Sequence, residues 1–181
     1  MATLILPPEE LKRMIRRRRA AGGDRHDEVW DGVYVMSPLA DNVHQAITSD
    51  LVVAIKAGFD FDRGVQAFAG CNLTDRADLW RKNYRCPDVA VFLPGNPAED
   101  RGSHWLGGPD FAAEVVSLHD RSRKKFDFYA KVGVRDLLLV ERRAWKLTTS
   151  TAIPGIGRWW ASPRPTALTR CTSPRWASRS A

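Results

Sequence analysis

The sequence predicts an α/β fold of the α+β kind, a central mixed β-sheet flanked by helices. Three observations carry this. Two seven-residue apolar runs, Pro87 to Leu93 and Phe111 to Ser117, are bounded by Pro, Gly or polar residues and rich in β-branched or aromatic side chains, so both read as strands. A third run, Asp136-Leu137-Leu138-Leu139-Val140, is almost uniformly apolar, as a central strand buried on both faces is. Between the second and third runs lies a basic amphipathic stretch closed by Gly133, which reads as a helix with a glycine just past its end.

The remaining elements follow in chain order. Residues 9–20 lack proline after Pro7-Pro8 and read as a helix stopped by Gly22-Gly23; its run Arg16-Arg17-Arg18-Arg19 reads as a solvated face. Val29 to Met36, interrupted by Asp31-Gly32, predicts a β-hairpin with a tight turn. Asn42 is expected to cap a helix running to about Ala57, with Val43, Ile47, Leu51 and Ile55 as its core stripe. Val65 to Ala69 and Cys71 to Thr74 are short strands around Gly70. Asp75 to Tyr84 reads as a loop whose Asn83 and Tyr84 approach the first acidic strand, and Pro94 to Pro109 as a surface connection. In the helix after the second strand, Asp120 is the expected N-cap and Phe126, Tyr129 and Ala130 the packed stripe. Glu141-Arg142-Arg143 turns the chain, and Trp145 to Thr148 begins another strand.

Composition bounds the function. A chain of 181 residues suits one domain of ordinary size plus an extension. The net charge is +7, but residues 151–181 hold five arginines and no acid, and seven less five leaves +2 for the body. Bulk charge therefore argues weakly for a polyanion partner. The three cysteines and four histidines show no zinc-ligand spacing, and no apolar run is long enough to span a bilayer, so a reducing cytoplasm is expected. Residues 1–150 read as one domain. From about Thr151 the pattern stops, and residues 151–181 read as a basic, disordered tail. Its abrupt composition fits an out-of-frame read of a GC-rich gene; the alternative is a genuine Trp-containing tail that binds nucleic acid by charge and stacking.

The chemistry lies in the acids. Each of the first two apolar runs carries one, Asp88 and Glu114, and carboxylates are rarely buried without a partner or a metal. On adjacent strands they converge on one hard cation, of the kind oxygen ligands hold. Arg121, Lys125 and Tyr129 recur at i, i+4 on the next helix, whose side chains lean toward its N-terminus, so Lys125 aims at the strand end bearing Glu114. The plain alternative is an Asp88–Lys125 salt bridge with Glu114 in water at a strand end. Elsewhere Gly155-Ile156-Gly157 follows no βαβ start, and Ser117 with His119 and Asp120 lacks the glycine-flanked turn of a nucleophile.

Pro87-Asp88, Glu114-Val115-Val116-Ser117, Asp120, Lys125, Tyr129 and Gly133-Val134, with upstream Glu28 to Pro38 and His44, resemble the Uma-type putative restriction endonuclease family of the PD-(D/E)XK nuclease superfamily. The resemblance spans roughly residues 25 to 145. It implies a restriction-endonuclease-like core and a Mg²⁺- or Mn²⁺-dependent endonuclease that hydrolyses DNA phosphodiester bonds. It implies metal ligation by Asp88, Glu114 and the Val115 carbonyl, an assisting Lys125, and a site role for His44. The superfamily places a lysine two residues after the glutamate, where this chain has Val116; Lys125 on the following helix takes that place, ahead of its neighbour Lys124. Glu28 is a candidate third acid. DNA is the expected partner, no membrane is involved, and a homodimer suits symmetric cutting of two strands. The alternative is a catalytically inactive nuclease-fold module that binds nucleic acid or a protein.

Overall fold

The computed structural model describes residues 7–59, 64–117, 121–142, 146–153, 158–161 and 166–167. Helix α1 (Pro8–Ala20) has proline and two acids in its first turn and arginines in its last, a charge order that suits the helix dipole. None of its residues is buried. Strands β1 (Glu28–Trp30) and β2 (Val33–Val35) form the expected hairpin, turned by Asp31 and Gly32 at φ 47° and 87°, the left-handed pair that an Asp-Gly turn supplies. Helix α2 (Asn42–Gly58) is capped by Asp41, whose carboxylate accepts the His44 N–H at 2.9 Å. Asn42, the expected cap, is instead its first helical residue.

The chain then builds a ribbon that passes through two sheets. Strands β3 (Gln66–Ala69) and β4 (Leu73–Thr74) pair antiparallel with β6 (Val89–Phe92) and β5 (Tyr84–Arg85) respectively. Ala69 faces Val89 and Leu73 faces Arg85, so both strands advance four residues and the register is unbroken. The bend falls at Gly70, at φ 78°, whose N–H donates to the Asp88 carbonyl at 3.0 Å. Glycine tolerates that left-handed backbone without strain.

Strands β7 (Glu99–Asp100), β8 (Trp105–Leu106) and β9 (Phe111–Val116) follow, then a 3₁₀ turn at Ser122–Lys125 leading into α3 (Phe126–Val132). Gly133, at φ 88°, closes α3 as expected, while Asp120 lies outside the described residues. Strands β10 (Asp136–Glu141), β11 (Lys146–Ile153), β12 (Arg158–Ala161) and β13 (Thr166–Ala167) are the last elements among the described residues. Strand pairing thus extends past residue 150, where the sequence pattern stops.

The large sheet runs β12-β11-β10-β9-β6-β3, with β13 also on β11. It is mixed, because β9 and β10 are parallel whereas β6 and β9 are antiparallel. One face packs Val89, Val91, Ala113, Val115, Leu138 and Val140 against Ile47, Leu51 and Ile55 of α2. Val43, expected in that stripe, is exposed. The other face packs Ala90, Phe92, Ala112 and Leu137 against Phe128, Tyr129 and Val134, and against Leu73 and Trp105 of the small sheet. On α3 it is Phe128 and Tyr129 that are buried, with Phe126 packed beside them.

The small sheet, β2-β1-β5-β4-β8-β7, was not expected. Its strands β4, β5, β7 and β8 are two residues long; β4 falls in the expected strand Cys71 to Thr74, whereas β7 and β8 lie in the segment read as a surface connection and β5 begins at the end of the one read as a loop. It also recruits α1. Arg18, read as part of a solvated face, donates from Nε and Nη2 to Asp27 at 2.7 and 2.8 Å. Asp27 is 1% exposed and also accepts from the Tyr34 hydroxyl and the Ser37 N–H. Those donors outweigh the cost of burial and hold its carboxyl below the usual carboxylate range.

Candidate active site

The register of β6 and β9 places the two acids. Val89 lies opposite Ala113, and one residue further along the ladder sets Asp88, which immediately precedes β6, opposite Glu114. Asp88 is fixed there by the Val115 N–H, which donates to its Oδ2 at 2.7 Å. Glu114 shares its face of β9 with Ala112 and points toward α3.

The 3₁₀ turn and α3 supply the counter-charge. Lys125 Nζ lies 2.9 and 3.1 Å from the two Glu114 oxygens. The Tyr129 hydroxyl donates to Glu114 Oε1, and Ser122 Oγ to Oε2 at 3.2 Å. Ser122, Lys125 and Tyr129 are three and four residues apart, the spacing of one helical face. That spacing is legible in the sequence for Lys125 and Tyr129, and Ser122 extends it by one more position while Tyr129 adds a hydroxyl contact to its packing. Lys124 is exposed and takes no part.

A third acid arrives from the small sheet. Glu28 begins β1, is 2% exposed, and presents Oε1 to Lys125 Nζ at 3.0 Å. The Cys86 N–H donates to the same oxygen and the Trp30 indole to Oε2, each at 2.7 Å. Arg85 anchors this arrangement. Its guanidinium lies over the Trp30 and Phe128 rings, 4.9 and 4.4 Å from their centroids, and donates to the Val29 carbonyl. The small sheet is thereby clamped to α3. Asn83 and Tyr84, expected near the first acid, stay within the small sheet, where Asn83 bonds Asp31, Asp75 and Arg85.

His44 completes the cluster from α2, its Nε2 3.2 Å from Asp88 Oδ2. Its Nδ1 is buried without a hydrogen-bond partner among the described residues. Arg142 bonds Asp41 at 2.6 Å and so ties the end of β10 to the start of α2. The five predicted residues Asp88, Glu114, Val115, Lys125 and His44 therefore meet at one end of β6 and β9. An Asp88–Lys125 salt bridge is not formed, and Glu114 is buried rather than in water. A small apolar recess lined by Ile55, Phe59, Val65 and Ala67 lies at the opposite end of α2 and has no part in this arrangement.

The electrostatics are unequal. Burial alone would favour a neutral Lys125, but Glu114 and Glu28 outweigh it and hold the ammonium charged well above its ordinary range. Glu114 has one shared cation and two acidic neighbours. Burial, with Asp88 and Glu28 pushing the same way, raises it to about 7 against the pull of Lys125. His44 is pushed down by burial, but the hydrogen bond and charge of Asp88 prevail and raise it. The site is thus crowded with carboxylates, short of positive charge, and partly open at Asp88, whose side chain is 21% exposed.

No helix among the described residues is long and apolar enough to cross a membrane. A family model described as "Uma2: Putative restriction endonuclease" matches residues 8–155, more than half of the chain. No curated protein matches it. Among solved structures, a putative nuclease belonging to DUF820 from Anabaena variabilis ATCC 29413 superposes with a TM-score of 0.61 at 21% identity, covering 80% of each chain. At that identity the likeness is one of fold.

Proposed function

The chain belongs to the Uma2 family of putative restriction endonucleases, and from that premise we propose that it hydrolyses DNA phosphodiester bonds, with Asp88 and Glu114 as ligands of a divalent cation and Lys125 as a permanent positive charge. The observation that carries this reading is the meeting of two carboxylates, opposed across neighbouring strands, with an ammonium 2.9 Å from one of them.

The donor set fits Mg²⁺ or Mn²⁺. Among the described residues no group of three or more His, Cys, Asp or Glu side chains is placed to hold a metal ion by itself. Magnesium rarely uses one; it keeps several waters and takes one or two carboxylates plus substrate phosphate oxygens. Asp88, Glu114 and the Val115 carbonyl would hold it, and Asp88 and Glu28 beside the buried Glu114 give the site three acids against the single ammonium of Lys125. Bound there, the ion supplies an activated water and a polarised phosphoryl oxygen.

The chain's own groups have separate tasks. Lys125 is too firmly protonated to act as a base, so it stabilises negative charge developing on the phosphate. Tyr129 and Ser122 donate to Glu114 and fix its rotamer. The Val115 N–H and His44 hold Asp88 in line. A two-fold assembly would carry two such centres to opposite strands, which sedimentation with and without a short duplex checks. The reducing cytoplasm suits the free thiols of Cys71 and Cys86.

The test is incubation of supercoiled plasmid with the protein and Mn²⁺, beside Asp88→Ala and Glu114→Ala. Wild type nicks or linearises the plasmid and both variants are inactive. Cleavage equal in all three would point to a contaminant, and binding without cleavage in wild type to a non-catalytic module.

A further inference from the structure

Lys125 has two carboxylate partners at nearly equal distance, 2.9 Å to Glu114 and 3.0 Å to Glu28, and only one of these is a proposed metal ligand. A cation taking up Glu114 must compete with the ammonium already bound there. Displaced with no second partner, a buried ammonium would cost far more than an exposed one, because little water is present to solvate it. Glu28 removes that difficulty. Its Oε2 is held by the Trp30 indole and its Oε1 by the Cys86 N–H, so the carboxylate cannot swing away with the lysine or toward the metal. It is a stationary acceptor of nearly the same strength.

We propose that Glu28 is a positioning residue that receives the Lys125 ammonium when a divalent cation takes Glu114, so that metal loading shifts one charge by a short distance instead of stranding it. This rests on the metal reading above. It gives the small sheet a function: the hairpin of β1 and β2, clamped by Arg85 to Trp30 and Phe128, exists at this point to present one carboxylate to Lys125. It also explains why Lys125 can come from the 3₁₀ turn before α3 rather than from β9. A lysine at the position of Val116 would sit on the strand with Glu114, whereas Lys125 enters between that strand and the small sheet.

Calorimetric titration of the full chain with Mn²⁺ alone, without DNA, tests this in four forms: wild type, Glu28→Gln, Lys125→Gln and the double variant, each first checked by thermal melting. Glu28→Gln should weaken Mn²⁺ binding about 10- to 100-fold, as loss of a supporting residue around a metal site does. In the Lys125→Gln background, where no ammonium needs a second partner, the same change should alter affinity less than about 2-fold. An equal loss in both backgrounds would mean that Glu28 acts as plain negative charge or as a ligand, and would overturn the hand-over. An unchanged affinity in Glu28→Gln with a lowered melting temperature would assign Glu28 to stability alone, and would overturn it too. Should Glu28→Gln not fold, Glu28→Asp keeps the charge but withdraws it by one methylene, and predicts the same dependence on Lys125. Wild type that binds no Mn²⁺, or binding that survives Asp88→Ala, would instead remove the metal reading on which the hand-over stands.

Discussion

The Oδ2 of Asp88 accepts the N–H of Val115, the residue that follows Glu114, at 2.7 Å. One acid is therefore fixed by the backbone that carries the other. An asparagine can accept the same N–H through its Oδ1, but it brings no charge. Asp88→Asn should melt within a few degrees of wild type while Mn²⁺ uptake and plasmid cleavage are lost. A variant that keeps its metal would show that Asp88 is a structural acceptor only.

Glu114 gives a pH dependence with a defined sign. Its folded-state value of about 7 lies above its ordinary value of 4.5, so the native state binds more protons between these limits. The stability it contributes is full below the lower value and is lost as pH rises through the higher one. His44, also raised, adds a slope of the same sign. Urea unfolding from pH 5 to 8 should show wild type losing on the order of a few kcal/mol, and Glu114→Gln distinctly less. Equal slopes would contradict the assignment.

Much of this was legible in the sequence, and the reason is local. An acid inside a short apolar run stands out whatever the partner, so Asp88 and Glu114 declared themselves, and helical spacing carried Lys125 with Tyr129. What escaped was held by distant partners. Three two-residue strands of the small sheet, β5, β7 and β8, are too short for alternation to register, so Glu28 reads as a candidate third acid with no partner to place it. Arg18 looked like one solvated arginine among four because Asp27, its partner, lies beyond a glycine turn. Asn42 lost the cap to Asp41 by one residue, within the ordinary uncertainty of a helix boundary.

Arg18 is the side chain through which α1 holds a buried group. Arg18→Ala leaves Asp27 with two neutral donors and an uncompensated buried charge, a loss of about 2–4 kcal/mol. Amide exchange across Pro8–Ala20 should quicken far more than exchange in β9 and β10. Uniform acceleration would mean that α1 is not separately docked.

Gly108 is required by space rather than by its dihedral angles. A Cβ there would lie 2.8 Å from the Val134 nitrogen and 2.9 Å from the Val132 carbonyl oxygen, both backbone atoms. Gly108→Ala must push the end of α3 outward, at a cost of roughly 1–3 kcal/mol. Urea denaturation measures it, and an unchanged midpoint would show that this junction yields freely.

Anomalous scattering from crystals grown with Mn²⁺ tests the central claim most directly. The expected result is one strong peak between the Asp88 and Glu114 carboxylates and beside the Val115 carbonyl, absent in Asp88→Asn, with the Lys125 ammonium moved toward Glu28. A peak elsewhere on the molecule, or an intact Lys125–Glu114 pair beside an empty site at saturating Mn²⁺, would contradict it.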